Sequence, residues 1–393
     1  MIGHSPEARL KHRSLLILLL LALAIRLAWA LSRPAGLLVD LPDQREYFAI
    51  ARNLVDGRGL VFHDERFDDD EYAFRSPGYP AFIAGLRCSV RTVRVVQAIL
   101  DTSTVLAAYL LARCWLNERQ ALFAALFVAV NPFLIFFSGL LLTETLFTTT
   151  LVWGFTMLAR REWIGLTAFA LAILIRPPAA VLVPLACAVA GGLSLRKLLT
   201  GALIGGITSI VVLFPWAYRN HRLLGEWIWT TTNAGQTQYD GFRDGADGSS
   251  NLAELPTMPE LRDRTEIERN AILAAKGRQL AMADLSRSAR LAVVKVGRTW
   301  SPVPLSDEYA SKRNVAVGFL YSLPLFALTI ACLFRRALPA YAKVLCLLPA
   351  LYFTASAAAT VGSLRYRIPA EPMLAVIAAA ALQKKNEDGR DEG

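Results

Sequence analysis

Apolar stretches of about 20 residues recur along the whole chain, and they limit what it can fold into. The first runs from Leu15 to Leu31 with one charged interruption, Arg26. A helix of this length spans the hydrocarbon core of a bilayer, which is roughly 30 Å thick. Of the 393 residues, 54% are hydrophobic and 19% charged, which is too little charge to cover a soluble protein of this size. The sequence therefore predicts an all-α polytopic membrane protein.

The apolar runs predict about ten transmembrane helices. The predicted spans are 14–33, 93–115, 121–138, 140–159, 163–175, 178–194, 198–217, 314–334, 338–361 and 368–382. Clusters of Lys and Arg between the spans are expected in the cytoplasm. These clusters are Arg9/Lys11/Arg13, Arg113/Arg119, Arg160/Arg161, Arg196/Lys197, Arg335/Arg336 and Lys384/Lys385. Alternation then puts both termini in the cytoplasm, and whether the short run 163–175 crosses fully stays open.

This topology divides the chain into four parts with two loops on the outer face. The parts are an N-terminal transmembrane module at 1–217 that includes a first outer loop at 34–92, a second outer loop at 218–313, C-terminal transmembrane helices at 314–384, and a cytoplasmic tail at 385–393. The sequence contains neither a GxGxxG nor a Walker A motif, and no cytoplasmic loop is long enough to form a domain. Any reaction is therefore expected on the outer face, away from nucleotides.

Charge and cysteine content exclude two other classes of site. The formal net charge is +10, but the excess lies in small clusters between apolar runs, as membrane topology requires, so nucleic acid is not an expected partner. The five cysteines lack CxxC spacing and lie mostly in apolar runs, where a free cysteine is a small hydrophobe. Neither a zinc site nor a disulfide framework is predicted.

The first outer loop starts with a short amphipathic segment that carries a candidate acid. The apolar side chains at helical spacing are Tyr47, Ile50, Ala51 and Leu54. This pattern predicts a helix that lies in the membrane interface, with Asp43 at its start. Two interpretations of Asp43 stand side by side: it is an N-cap of that helix, or it is a chemical group at the membrane surface.

Two more charged motifs follow in the same loop. An acidic run from Asp64 to Glu71, with His63 beside it, either holds a divalent cation through oxygen ligands or is a solvated surface loop, and the second interpretation is favoured. Arg75 precedes the turn Ser76–Pro80, which proline and glycine stiffen. A guanidinium held there either binds a phosphate, because its donors match the phosphate oxygens, or extends to lipid headgroups.

Further charged residues are predicted at the outer ends of other spans. Glu144 follows Thr143 at an outer turn, and it either faces a polar cavity or starts a helix that Thr143 caps. Arg176 precedes two prolines at another outer turn, and Arg365 and Arg367 precede the last span. Arginines at the outer ends of different helices predict a shared site for an anionic lipid.

The second outer loop is predicted to contain two helices. The segment Thr257–Glu260 resembles a capping box, so a helix is expected from there to about residue 283. Residues 284–300 mix basic and apolar side chains and end at Trp300, which predicts an interfacial amphipathic helix with an aromatic anchor. Residues 235–248 are rich in hydrogen-bonding side chains, which suits either a polyol or an ordinary turn-rich segment.

Together these motifs resemble the membrane-embedded GT-C glycosyltransferases, and specifically the bacterial superfamily of protein O-mannosyltransferases and aminoarabinose transferases, which is similar to glycosyltransferase family 39. The resemblance is carried by Asp43 with Tyr47, Arg75–Pro80, Thr143–Glu144, Ile175–Pro177, Pro215–Asn220 and Arg365–Pro369. These segments span most of the chain. The resemblance implies a GT-C-like helical bundle with interfacial helices in its two outer loops.

The resemblance also implies an activity and roles for individual residues. Such an enzyme, a hexosyl- or pentosyltransferase, moves a sugar from a polyprenyl-phosphate carrier to a lipid, glycan or protein acceptor, with inversion, at the outer face of the inner (plasma) membrane. Asp43 is the implied base and Glu144 the second acid. Glu46 could share the acidic role, because many members have an acid where this chain has Gln44.

The same resemblance implies a set of binding residues. The side chains implied to bind substrate or the lipid phosphate are Arg75, Tyr47, Tyr79, Arg176, Arg219, Arg365 and Arg367. No metal ligand is predicted and no cofactor is certain, although a divalent cation stays an option. Expected partners are the lipid-linked sugar donor, its acceptor and membrane lipids.

Two other functions fit the composition. A transporter or flippase for a lipid-linked sugar would place polar residues near the middle of several spans and would show related halves. Here the charges gather at the outer ends, and no internal repeat is visible. A non-catalytic subunit of a cell-envelope glycan assembly system would keep the fold and lose the acids, but Asp43 and Glu144 are present.

Overall fold

A bundle of apolar helices makes up most of the computed structural model, which describes residues 6–34, 41–190, 192–306 and 309–382. The first helices are α1 (Pro6–Ser32), α2 (Pro42–Val55), α3 (Gly78–Gly85), α4 (Val90–Ala112), α5 (Glu118–Ala129), α6 (Pro132–Ser138), α7 (Thr143–Ala159) and α8 (Gly165–Ile175). The others are α9 (Ala179–Ala190), α10 (Leu195–Leu224), α11 (Ala234–Phe242), α12 (Glu266–Ala283), α13 (Leu285–Thr299), α14 (Lys312–Leu333), α15 (Ala340–Ala359) and α16 (Glu371–Ala379). The tail predicted at 385–393, with Lys384 and Lys385, lies outside the described residues.

The helix lengths confirm a multi-pass membrane protein and refine the predicted spans. Among the described residues, α1, α4, α10, α14 and α15 are each long and apolar enough to cross a membrane, and α5 with α6 forms a bent sixth candidate. The other predicted spans correspond to shorter helices, with 17 residues in α7, 11 in α8, 12 in α9 and 9 in α16. A helix of 11 residues is about 17 Å long, so α8 is too short to cross the hydrocarbon core as one helix.

The predicted span 121–138 is broken at Asn131. A bend of 51° separates α5 from α6, because Pro132 disfavours a helical conformation for the residue before it. The Asn131 side chain instead accepts hydrogen bonds from the backbone N–H groups of Phe133 and Leu134, at 2.9 and 3.1 Å. Asn131 therefore ends one helix and caps the next.

Burial separates the inner helices from those that face lipid. Every residue of α16 is buried, so this helix lies inside the bundle. By contrast α10 exposes a long apolar stripe that includes Leu199, Leu203 and Ile210. Its other face approaches α9 closely at Gly201 and Gly205, where an added Cβ would lie 2.1 Å from the Cys187 carbonyl oxygen and 2.6 Å from Pro184 Cα. Small residues four apart allow this close packing of membrane helices.

A buried ion pair ties α1 to α4 and α5. Arg26 Nε donates to Asp101 Oδ2 at 2.5 Å, and both side chains are fully buried. The two terminal nitrogens of the guanidinium donate to the carbonyls of Ala129 and Val128, at 2.9 and 3.1 Å. These carbonyls lie at the end of α5, where the bend removes their helical partners. Arg26 therefore neutralises the buried Asp101 carboxylate and donates hydrogen bonds to the free carbonyls at the end of α5.

Replacing Arg26 with Leu should strongly destabilise the protein, because it leaves the Asp101 charge buried without a partner. Loss of one member of a buried pair typically costs about 3–5 kcal/mol. The double variant Arg26→Leu with Asp101→Leu should recover part of the loss. Thermal unfolding in detergent measures both variants, and equal midpoints for the single and double variants would contradict the ion-pair explanation.

The two loops that the sequence predicts on the outer face contact each other through α12 and a short hairpin that the sequence did not predict. Strands β1 (Phe62–Asp64) and β2 (Asp69–Glu71) pair antiparallel within the acidic run. Arg269 on α12 donates to Asp69 at 2.7 Å and to Glu71 at 3.3 Å. Elsewhere in the run, Arg66 binds Asp64. Asp64, Asp69 and Glu71 therefore contact arginines, whereas Glu65, Asp68 and Asp70 remain exposed, as the surface-loop interpretation predicts.

The first helix predicted in the second loop begins later than expected. The segment Thr257–Glu260 forms parts of two 3₁₀ turns, and the capping box lies at Thr265 and Glu268, where each residue's side chain accepts from the other's backbone N–H. The predicted end near residue 283 and the following amphipathic helix agree with α12 and α13. Proline at 259 fits the start of a 3₁₀ turn as well as that of an α-helix.

Glu71 should make the stability of the protein fall as the pH rises from about 4.5 to about 8. Burial, together with the nearby Asp64 charge, raises the pKa of Glu71 from 4.5 to about 8, and Arg269 does not cancel this effect. The folded protein therefore keeps a proton that the unfolded chain releases in this window, so stability is lost as pH rises. Between pH 4.5 and about pH 8 the thermal unfolding midpoint should fall less in Glu71→Gln than in the wild type. Parallel curves of midpoint against pH for the two proteins would contradict this.

Candidate active site

Three carboxylates and three arginines from separate parts of the chain meet in one ion-pair network. This charge cluster consists of Asp43 and Glu46 on α2, Arg75 before α3, Glu144 at the start of α7, Arg176 after α8, and Arg365 before α16. Its formal charges sum to zero. The structure therefore brings together six of the side chains that the sequence indicated as site residues.

Asp43 lies between two arginines. Arg75 donates from Nη2 to Asp43 Oδ1 at 2.8 Å, and Arg365 donates from Nη1 to Asp43 Oδ2 at 3.1 Å. Arg75 also donates from Nε to Glu46 Oε2 at 2.7 Å. Arg365 extends the network inward, because its Nε donates to Glu144 Oε1 at 2.6 Å. Charge-assisted bonds of this kind are among the strongest that proteins form.

Glu144 is the innermost member of the cluster. Arg176 donates from Nη2 to Glu144 Oε1 at 2.7 Å and from Nε to the Thr143 hydroxyl at 2.8 Å. The Glu144 side chain is fully buried, whereas those of Asp43 and Arg365 are 29% and 30% exposed. A molecule that enters from the protein surface therefore reaches Asp43 and Arg365 before it reaches Glu144.

Neither acid serves as a helix cap. The residue before α2 is Leu41, and no side chain caps this helix. The residue before α7 is Leu142, and the Thr143 hydroxyl bonds Arg176 instead of capping. The capping interpretations of Asp43 and Thr143 are therefore wrong, and the charge cluster accounts for the orientation of both side chains.

The arginines keep Asp43 ionised. Burial acts to raise the pKa of this carboxyl, but the charges of Arg75 and Arg365 outweigh it and hold the pKa below its usual range. Burial also acts to lower the pKa values of Arg75 and Arg365, and the neighbouring carboxylates reverse that effect and raise both. With both oxygens bonded to guanidinium groups, Asp43 is a weak proton acceptor in this arrangement.

Two buried glutamines hold the loop that leads to Glu144. Gln44 accepts a hydrogen bond from the Leu141 N–H at 2.8 Å. Gln97 on α4 donates to the Leu140 carbonyl at 2.6 Å and accepts from the Tyr79 hydroxyl at 2.7 Å. Sequence analysis missed Gln97, although an amide within an apolar run is a signal of a buried hydrogen-bonding role.

The two tyrosines implied by the resemblance lie beside the cluster without a direct hydrogen bond to its acids. Tyr47 and Tyr79 are buried, with ring centroids 5.1 Å apart in an edge-to-face arrangement. The Arg75 guanidinium lies 5.3 Å from the centroid of the Tyr47 ring. Tyr47 therefore packs against Arg75, and Tyr79 packs against Tyr47.

The structure places Arg219 and Arg367 outside the cluster. Arg219 donates to the carbonyls of Tyr72 and Leu60, at 2.5 and 2.6 Å. Arg367 is fully buried and pairs with Glu371 at 2.7 Å. Both guanidinium groups thus bond protein partners away from the Asp43 carboxylate.

The described residues contain no group of three or more His, Cys, Asp or Glu side chains arranged to hold a metal ion. Within the acidic run, His63 pairs with Asp70 at 3.0 Å. In the charge cluster the positions around the carboxylates are filled by guanidinium groups, which supply the positive charge there.

The fold is found in solved membrane glycosyltransferases. Searches with the sequence find no match among models of protein families or among curated proteins. The archaeal oligosaccharyltransferase AglB from Archaeoglobus fulgidus, solved with an inhibitory peptide and a dolichol-phosphate, is similar with a TM-score of 0.59 at 15% identity, over 96% of this chain and 50% of that chain. The apo form from the same organism gives 0.55 at 16% identity, over 95% and 50%.

A third solved structure, ArnT from Cupriavidus metallidurans bound to undecaprenyl phosphate, gives a TM-score of 0.43 at 15% identity, over 93% of this chain and 77% of that chain. The present chain spans about half the length of the oligosaccharyltransferase structures. AglB has the GT-C fold. The chain is a multi-pass membrane protein with the fold of the GT-C glycosyltransferases, as its motifs predicted.

Proposed function

We propose that the chain is an integral-membrane glycosyltransferase that moves a sugar from a polyprenyl-phosphate carrier to an acceptor hydroxyl at the outer face of the membrane. The observation that carries this proposal is the charge cluster, in which the partly exposed Asp43 lies between Arg75 and Arg365. A carboxylate beside guanidinium groups offers a base and an anion holder in one site. The likeness to AglB, whose structure contains a dolichol-phosphate, supports the lipid-linked donor.

The phosphate of the donor would compete with Asp43 for the arginines. Arg75 and Arg365 each bond Asp43 through a single contact while another nitrogen of the same guanidinium holds Glu46 or Glu144. Each arginine therefore keeps its orientation when the contact to Asp43 is exchanged for a phosphate oxygen. The exchange would raise the proton affinity of Asp43, because a neighbouring cation would then be neutralised by the phosphate.

The reaction would be a single displacement. The acceptor oxygen forms a bond to the anomeric carbon as the bond from that carbon to the phosphate oxygen breaks, and the hydroxyl proton passes to Asp43. Negative charge grows on the leaving polyprenyl phosphate, where Arg75 and Arg365 stabilise it in a partly dry site. Attack opposite the leaving group inverts the anomeric configuration.

Glu46 and Glu144 would support this reaction without touching the acceptor. Glu46 fixes Arg75, and the fully buried Glu144 fixes Arg365 and Arg176. We place the site on the outer face of the inner membrane, with both termini cytoplasmic, because the basic clusters follow the positive-inside rule. The lipid carrier supplies the activated sugar there, so no nucleotide-binding domain is required.

The variant Asp43→Asn should insert normally and fail to transfer sugar. Asparagine keeps the shape of the side chain but accepts no proton at neutral pH, and loss of a general base typically costs about 10²–10⁴-fold in rate. Transfer can be followed as loss of the polyprenyl-phosphate sugar from membranes that contain the variant. Mass spectrometry of the lipid that copurifies with the variant should reveal the donor, which then accumulates unreacted.

The matched control is Asp56→Asn, at the other end of the same helix, where the carboxylate forms an exposed pair with Arg58. This control should transfer sugar at the wild-type rate. Full activity of Asp43→Asn would refute the assigned base. Recovery of bulk phospholipid alone from wild type and variant, in repeated purifications, would argue against a lipid-linked donor.

A further inference from the structure

We propose that Glu266, on α12 in the second outer loop, is a positioning residue that holds Arg75 in place for the phosphate of the donor. The proposal rests on the proposed function in one respect, which is that Arg75 binds that phosphate. Glu266 does not belong to the charge cluster. Its effect would pass through the backbone of Tyr72 and Ala73, the residues that lead to Arg75.

The Glu266 carboxylate is buried and binds two consecutive backbone amides. Its Oε1 accepts from the Tyr72 N–H at 3.0 Å, and its Oε2 accepts from the Ala73 N–H at 3.1 Å. The Thr232 hydroxyl donates to the same Oε2 at 2.8 Å. The residue is only 5% exposed, so these three bonds replace its hydration.

The carbonyls of Tyr72 and Ala73 also accept hydrogen bonds from the second outer loop and the end of α10. The Thr232 N–H donates to the Ala73 carbonyl at 3.0 Å, and Arg219 Nη1 donates to the Tyr72 carbonyl at 2.5 Å. All four backbone polar groups of Tyr72 and Ala73 are therefore bonded by α10, α12 or the segment between them. This accounts for Arg219, which holds the backbone near Arg75 instead of joining the charge cluster.

A second fixed point lies just beyond Arg75. Gly78 packs so closely against the end of α8 that an added Cβ would lie 2.7 Å from the Leu174 carbonyl oxygen. Between the two fixed points, Phe74 is 4% exposed and Ser76 is 7% exposed. Arg75 is thus carried by a short backbone segment that is anchored at both ends, and Glu266 forms the anchor on one side.

The helix that carries Glu266 is itself docked on the first outer loop. Arg269 lies three residues further along α12, on the same face, and it pairs with Asp69 at 2.7 Å and Glu71 at 3.3 Å. A displacement of α12 would therefore pull on the hairpin and on Tyr72–Ala73 together. The second outer loop would in this way control whether Arg75 points at the donor phosphate.

The test compares the variants Glu266→Gln and Arg75→Ala, alone and combined, in nanodiscs with undecaprenyl phosphate as the probe. Glu266→Gln alone should weaken binding by about tenfold, a loss equivalent to one displaced charge-assisted contact. In the Arg75→Ala background the same change should have almost no effect, because Glu266 acts through Arg75. A purely structural role would weaken binding equally in both backgrounds and would overturn the proposal.

Backbone hydrogen exchange of residues 74–79 gives a second readout that does not depend on the lipid. Exchange should become faster in Glu266→Gln and stay unchanged in Glu268→Gln, a control that removes a charge from the same helix while glutamine keeps the capping box. Equal exchange in both variants would overturn the proposal. If the wild type fails to bind undecaprenyl phosphate, the proposed function fails. The exchange comparison then tests by itself whether Glu266 holds the backbone segment that carries Arg75.

Should Glu266→Gln fold poorly, Thr232→Val replaces it. This variant removes one donor to Glu266 and keeps the carboxylate charge and the backbone contacts. It should accelerate exchange of residues 74–79 and weaken binding in the same direction by a smaller factor. Wild-type exchange and wild-type affinity in Thr232→Val would overturn the proposal.

Discussion

The cost of placing charge inside a membrane protein governs this structure. Buried ions are stable where an opposite charge and further hydrogen bonds replace their hydration. Arg26 with Asp101, Arg367 with Glu371, and the six residues of the charge cluster all follow this rule. The first pair joins α1 to α4, and the second is a local pair in the interior at the start of α16. The charge cluster differs because Asp43 and Arg365 remain partly exposed, and in the proposed function these ions exchange partners with an incoming phosphate.

The sequence predicted the fold class for physical reasons that are visible in single residues. Its candidate site residues include the six members of the charge cluster, together with Tyr47, Tyr79, Arg219 and Arg367, which lie outside it. Apolar runs report membrane helices directly, and arginines next to prolines, such as Arg176, mark the ends of spans. Helix lengths were harder, because α7 and α16 are largely buried in the protein and need not match the bilayer thickness. The break at Asn131 has a local signal in the following proline, but proline also occurs inside α10 and α14 without ending them.

The roles of individual arginines could not be separated by sequence. Arg219 and Arg367 have the same local signals as Arg75 and Arg365, since all four lie in the segments predicted on the outer face. Arg75, Arg219 and Arg365 have partners distant in sequence, and these contacts decide whether a guanidinium bonds a carboxylate or a backbone carbonyl. The pairing of Glu266 with Tyr72 and Ala73 likewise joins residues nearly 200 positions apart, which no periodicity or motif reports.

The neutrality of the charge cluster bears on how a charged lipid would arrive. Three cations and three anions within one network produce a field that decays over a short distance, especially at physiological ionic strength. Such a site does not draw anions from afar, unlike a cleft lined by one sign of charge. Encounter would then depend on lateral diffusion within the leaflet and on the abundance of the carrier there. Discrimination among anionic headgroups would arise at contact, where a phosphate must compete with Asp43 for the same nitrogen atoms.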